Sequence, residues 1–114
     1  MRYVLLIYGE EGWFDALSEG ERGAHMQRWG EYDRQLRAAG VGIAGDALDR
    51  TATARTVRGR DKPIVSDGPF AETREQLAGF IEIDVASMDE AVEWAERCPA
   101  LAHGAVEVRP VAAM

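Results

Sequence analysis

Two side chains in this sequence are suited to moving protons in neutral water. His25 is the first, because an imidazole both gives and takes a proton near neutral pH. Asp67 is the second, a carboxylate set just before Gly68-Pro69, where a rigid turn would present it. His25 reads as a general base or acid, and Asp67, flanked by Glu72 and Arg74, as a carboxylate presented at a cleft. Trp29, Tyr32, Phe70, Glu72 and Arg74 are the expected substrate-binding side chains. Each of the two principals also has a plainer reading. His25 suits a core-edge position, hydrogen-bonded to the backbone or to Tyr32. Asp67 suits an Asx-type turn cap.

Other chemistry is disfavoured. His103, in a loop two residues past Leu101, is expected to be solvated, and two histidines without a clustered third ligand make a poor metal site. No metal or cofactor is expected. Cys98, at an apolar helix end, reads as a small buried hydrophobe. Gly40-Val41-Gly42-Ile43-Ala44-Gly45 spells G-x-G-x-x-G, but a dinucleotide fingerprint needs a strand before it and a helix after it. Here the order is reversed. The glycines read as a helix stop at Gly40 and small residues for close packing.

The elements that would position these groups follow from periodicity. Residues 2–8 are apolar on both faces, which predicts a central strand. Ser18 and Glu21 form a capping box, opening a helix to about Ala39 with His25, Trp29, Tyr32, Leu36 and Ala39 on one face. Val41–Leu48 reads as a second strand. Residues 49–66 read as a hairpin rich in arginine, most simply a solvated edge, with anion binding as the functional reading. Asp67-Gly68-Pro69 is a turn, and residues 71–76 a helical turn or lid. Ala78–Val85 is a strand. Ser87 and Glu90 open a helix to about Arg97 with Met88, Ala91, Val92, Ala95 and Cys98 inward and Trp94 at the margin. Ala105–Val111 is the last strand. The order is βαβ, an inserted β-hairpin, then βαβ, which defines an α+β, ferredoxin-like fold in a single domain over residues 1–114. Glu82, Asp84, Glu107 and Arg109 fall on the sheet face away from the helices, so that face should line a cleft or a partly wet dimer cavity.

Composition bounds the function. The 114 residues carry a net charge of -7, which argues against nonspecific binding to nucleic acid or to an anionic membrane. One cysteine excludes an internal disulfide framework, and the strand-like start lacks a signal layout, so a cytoplasmic protein is expected.

Asp67-Gly68-Pro69-Phe70-Ala71-Glu72-Thr73-Arg74-Glu75-Gln76-Leu77-Ala78-Gly79-Phe80 closely resembles the signature of the DGPF-type branch of the YciI-like proteins, the YCII-related domain family. Residues 2–9, 87–95 with Cys98-Pro99, and 106–111 are similar to the same branch, so the likeness spans the chain. The resemblance implies a subunit that forms a homodimer as a dimeric α+β barrel. It implies acid/base chemistry through a histidine and an aspartate in a pocket, with His25 of Ala24-His25-Met26 as the histidine and Asp67, or as second choice Asp33 two helical turns from His25, as the carboxylate that orients it or polarises a substrate. One reading is therefore a small-molecule enzyme, isomerase or lyase-like, with its pocket near the dimer sheet face. The alternative is a noncatalytic ligand-binding or regulatory module associated with a sigma factor of the extracytoplasmic-function type.

Overall fold

Strand β1 (Arg2–Gly9) takes the middle of the sheet, as its unbroken run of β-forming side chains requires. In the computed structural model, which describes residues 1–114, it is followed by α1 (Glu19–Ala39), β2 (Gly42–Ala47), β3 (Arg55–Arg58), β4 (Ile64–Asp67), β5 (Gln76–Asp84), α2 (Met88–Glu96) and β6 (Gly104–Pro110). The main sheet has the order β2-β5-β1-β6 and every pairing in it is antiparallel. Strands β3 and β4 pair with each other in a separate two-stranded sheet. This is the ferredoxin-like α+β fold with an inserted hairpin.

Local chemistry sets the helix ends. Ser18 Oγ accepts from Glu21 N at 3.1 Å while Glu21 Oε1 accepts from Ser18 N at 2.9 Å, which completes the capping box. Gly40 ends α1 with φ of 69°, a left-handed conformation that glycine adopts without steric penalty. At α2, Ser87 Oγ accepts from Glu90 N, but the Glu90 carboxylate turns to Ala86 N, so only half of the second box forms.

Both helices cover one face of the sheet. Tyr3, Leu5 and Ile7 of β1 and Ile83 of β5 pack there against Tyr32 and Leu36 of α1 and Ala91, Trp94 and Ala95 of α2. Leu5 and Ile83 are fully buried, each contributing roughly 1.5–3 kcal/mol of transfer free energy. Three expectations shift. Ala39 is exposed, because Gly40 turns the chain away before the last helical turn reaches the sheet. On α2, Trp94 is inside and its carbonyl accepts from the Tyr32 hydroxyl at 2.8 Å, while Met88 and Val92 lie at the exposed edge. Residues 71–75 form bends with no helical turn, held by Gln76 Nε2 donating to the carbonyls of Ala71 and Thr73.

The opposite face has no cover. One row across the four strands reads Asp46, Phe80, Leu6, Glu107, and the next reads Ala44, Glu82, Val4, Arg109. Its apolar members Val4, Leu6 and Phe80 are half-buried only by their neighbours. The molecule is accordingly a slab with extents of 47 × 43 × 18 Å. Its radius of gyration is 16.0 Å, against about 13 Å for a compact chain of this size.

The G-x-G-x-x-G run resolves as packing. A Cβ on Gly45 would come within 2.9 Å of the Phe80 carbonyl, and one on Gly79 within 2.9 Å of the Asp46 carbonyl. Strands β2 and β5 approach this closely only because neither residue has a side chain. No helix is long and apolar enough to cross a membrane.

Candidate active site

The loop between β1 and α1 turns back over the start of the helix. Leu17 N donates to the Phe14 carbonyl and Ala16 N to the Gly12 carbonyl, which folds Trp13 and Phe14 inward. At the other end of the chain, Gly104 pairs with Gly9, so His103 arrives beside the exit of β1. The approach is close: a Cβ on Gly9 would meet His103 Nδ1 at 3.2 Å.

These two arrivals enclose His25. Its ring is 3% exposed. Trp13 stands edge-on to it at 4.8 Å between centroids, and His103 stands edge-on at 5.5 Å. Trp13 and His103 stack on one another at 3.3 Å with planes 10° apart. Trp29, one turn further along α1, donates from Nε1 to His25 Nε2 at 2.9 Å. That bond makes Nε2 an acceptor and so assigns the ring proton of neutral His25 to Nδ1. Nδ1 of His25 and Nδ1 of His103 are both buried with no hydrogen-bond partner. Leaving a buried polar nitrogen unpaired costs about 1–3 kcal/mol, so neither arrangement is favoured by stability alone.

Burial pushes the His25 pKa below the ordinary histidine value, and the Arg28 cation adds to the effect. Burial, then the neighbouring His25, lowers that of His103. Both rings are therefore neutral at pH 7. Tyr8 is shifted the other way, first by burial and then by the Glu107 carboxylate, to which its hydroxyl donates at 3.3 Å. It holds its proton as a hydrogen-bond donor.

His103 opens onto a cleft of roughly 710 Å³ lined by Tyr8, Glu10, Thr73, Arg74, Glu75 and His103. Arg74 is ion-paired with Glu10 at its mouth. Tyr8 belongs to the uncovered sheet face, so the cleft lies at one end of that face. The arrangement offers neutral imidazoles for proton transfer, a phenol and a guanidinium for an anionic oxygen, and carboxylates that favour a cationic or hydroxylated group.

The expected site residues do not converge on one place. His25 and Trp29 lie together in the aromatic cluster, and Arg74 lines the cleft beside His103. Tyr32 is a core residue whose hydroxyl is used by the Trp94 carbonyl. Asp67, Phe70 and Glu72 are exposed on or beside the hairpin. Asp67 is paired with Arg55 at 3.1 Å, and Phe70 lies under the Arg58 guanidinium at 4.7 Å. No hydrogen bond joins Asp67 to His25, and Asp33 is paired with Arg37 at 3.0 Å. The expectation of a solvated His103 is corrected: β6 pairing pulls it against Gly9, and Trp13 covers its ring. Trp13, Tyr8 and Glu10 were also not singled out. A signal existed for Trp13, whose large apolar ring sits in an otherwise acidic loop and so needs a place to bury.

An antiparallel four-stranded sheet with two helices on one face places the molecule in the class of ferredoxin-like α+β domains. Within it, this chain belongs to the YCII-related domain family, whose model matches residues 1–114. It is similar to an uncharacterized protein of Rhizobium meliloti, 38% identical over 115 residues that span 98% of this chain and 93% of that one. Among solved structures it is similar to 5-chloro-2-hydroxyhydroquinone dehydrochlorinase of Burkholderia phenoliruptrix, solved in complex with 2,5-dihydroxybenzoquinone. That likeness has a TM-score of 0.53 and 16% identity over 98% of this chain and 94% of the other, and it shows a shared fold.

Proposed function

We propose that this chain is a small-molecule enzyme of the acid/base type, an isomerase or lyase, in which His25 and His103 handle the proton. The observation that carries this reading is the pair of neutral imidazoles, ring centroids 5.5 Å apart, whose Nδ1 atoms are both buried and unpartnered. A fold keeps unpaired nitrogens at some cost, and proton transfer is the chemistry that two adjacent neutral imidazoles serve best. Trp29 takes the orienting role first given to Asp67, because it fixes the His25 tautomer. His103 lines the cleft and meets the substrate; His25, with its Nε2 taken by Trp29, stands behind it and helps keep the His103 ring neutral and ready to accept a proton. Tyr8 and Arg74 bind an oxygen on which negative charge develops. The substrate class is a small oxygenated ring or enolisable compound. The fold neighbour's name supports this class, since loss of HCl from a hydroxylated ring is a proton-and-leaving-group elimination.

The same reading includes a homodimer, with a second copy on the uncovered sheet face. Val4, Leu6 and Phe80 there supply the apolar surface, and the slab is only 18 Å thick.

The test is solvent-deuterium exchange. Hydroxylated quinones and enolisable hydroxy acids are incubated with the protein in heavy water and followed by proton NMR. Loss of a substrate C–H signal that depends on the protein, falling about 100-fold or more in His103→Gln and in His25→Asn, is the expected result. Exchange that survives in both variants refutes the assignment.

A further inference from the structure

Strands β3 and β4 are four residues each and pair only as a two-stranded sheet. Such a hairpin is at best marginally stable alone in water. This one is exposed over seven of its eight strand residues, all but Thr56. Its cross-strand pair Val57 and Val65 is 61% and 62% exposed, and Ile64 is 71% exposed. The turn between the strands adds Arg60 and Lys62, neither of which has a carboxylate partner. Residues 55–67 hold four cations against two carboxylates. With the chain at -7, this surplus of two leaves the remainder at -9. Two copies would thus repel through their bodies and attract through the hairpin.

The uncovered sheet face carries the complement. Its row Asp46, Phe80, Leu6, Glu107 places two apolar side chains between two carboxylates. Asp46 has no ion partner, and Glu107 has only the Tyr8 hydroxyl. The hairpin offers an apolar pair followed by two free cations. We propose that the β3–β4 arm of one copy seats on the open sheet face of a second copy, with Val57 and Val65 over Leu6 and Phe80 and the Arg60/Lys62 turn at one of the two flanking carboxylates, which stand three strand spacings apart. This rests on the homodimer reading and names the contact that forms it. With the turn at Glu107 the cleft becomes a shared site, because the Tyr8 hydroxyl bonds that carboxylate.

Lys62 is the chain's single lysine, which makes the contact traceable. A zero-length carbodiimide joins an amine only to a carboxylate in direct contact. Equal amounts of ordinary and ¹⁵N-labelled protein are unfolded together in urea, refolded, coupled, digested and analysed by mass spectrometry. Expected are peptides joining Lys62 to Asp46 or Glu107, about half of them of mixed isotope as random pairing of copies requires. Lys62→Arg removes these products. In parallel, Val57→Asp/Val65→Asp should weaken the dimer by about tenfold or more in light scattering and leave the circular dichroism unchanged. Lys62 products confined to one isotope, or a double variant that dimerises as tightly as the parent, overturn the arm contact while the dimer reading survives. A parent protein that is monomeric overturns both, and an arm that instead captures a purified sigma factor overturns the arm contact alone.

Discussion

Lowering the pH from 8 to 5.5 should destabilise the fold through His25. An unfolded imidazole titrates at about 6.5. In the fold, burial and the Arg28 cation hold His25 below that value. Between the two values the unfolded chain carries a proton that the folded chain lacks. Stability therefore rises with pH in this window, is complete above about 6.5, and is lost progressively as pH falls below it. The slope for one imidazole reaches about 1.4 kcal/mol per pH unit, large beside a typical total of 5–15 kcal/mol. His103 acts with the same sign, through its burial and the neighbouring His25. Urea unfolding followed by tryptophan fluorescence reads this directly, since Trp13 and Trp29 both touch His25. The midpoint should be flat from pH 8 to 7 and fall from 6.5 to 5.5. His25→Phe should flatten part of that fall, and His25→Phe/His103→Phe nearly all of it. An unchanged parental midpoint, or an equal fall in the double variant, would show that these rings are not the groups held neutral.

Two further outcomes test the scaffold. Gly104→Ala should destabilise by about 2–3 kcal/mol or block folding, because its Cβ would lie 1.9 Å from the Tyr8 carbonyl and β1 and β6 would have to part; chemical denaturation measures it. Tyr32→Phe should cost about 1 kcal/mol through loss of the bond to the Trp94 carbonyl, with no change in any exchange activity, since Tyr32 lies outside the cleft.

The fold was readable because its signals are local. Alternation placed the strands, Ser18-Glu21 and Gly40 set the ends of α1, and βαβ order with an inserted hairpin left one topology. The site was half readable. His25 carried its own signal through helical spacing with Trp29. His103 did not, since nothing near residue 103 says that β6 registers Gly104 against Gly9 and so delivers the ring to the far end of the sheet. Asp67 misled in the opposite way. A turn signal shows that a carboxylate is presented but not to what, and here it is presented to Arg55. Proximity across the sheet is a property of register, which short-range patterns do not encode.

Trp13 offers the sharpest separation of burial from charge as the origin of the neutral imidazoles. Its ring stacks on His103 and stands edge-on to His25, so it is the lid that keeps water from both. Trp13→Ala removes that cover while leaving Arg28, Trp29 and both histidines in place. If desolvation dominates, the two imidazole pKa values should rise toward 6.5 together, and the acid-side loss of stability should shrink although no titrating group has been deleted. The lost aromatic contacts should cost about 0.5–1.5 kcal/mol at pH 8, beyond the area they bury. Histidine C–H resonances followed through a pH titration give both values in one experiment. If they stay where they are in the parent, the Arg28 charge and the His25–His103 pairing set the titration, and Trp13 is only packing. If they rise, the loop between β1 and α1 controls the protonation state of the site, and any ligand that displaces the Trp13 ring changes the basicity of the histidines it then meets.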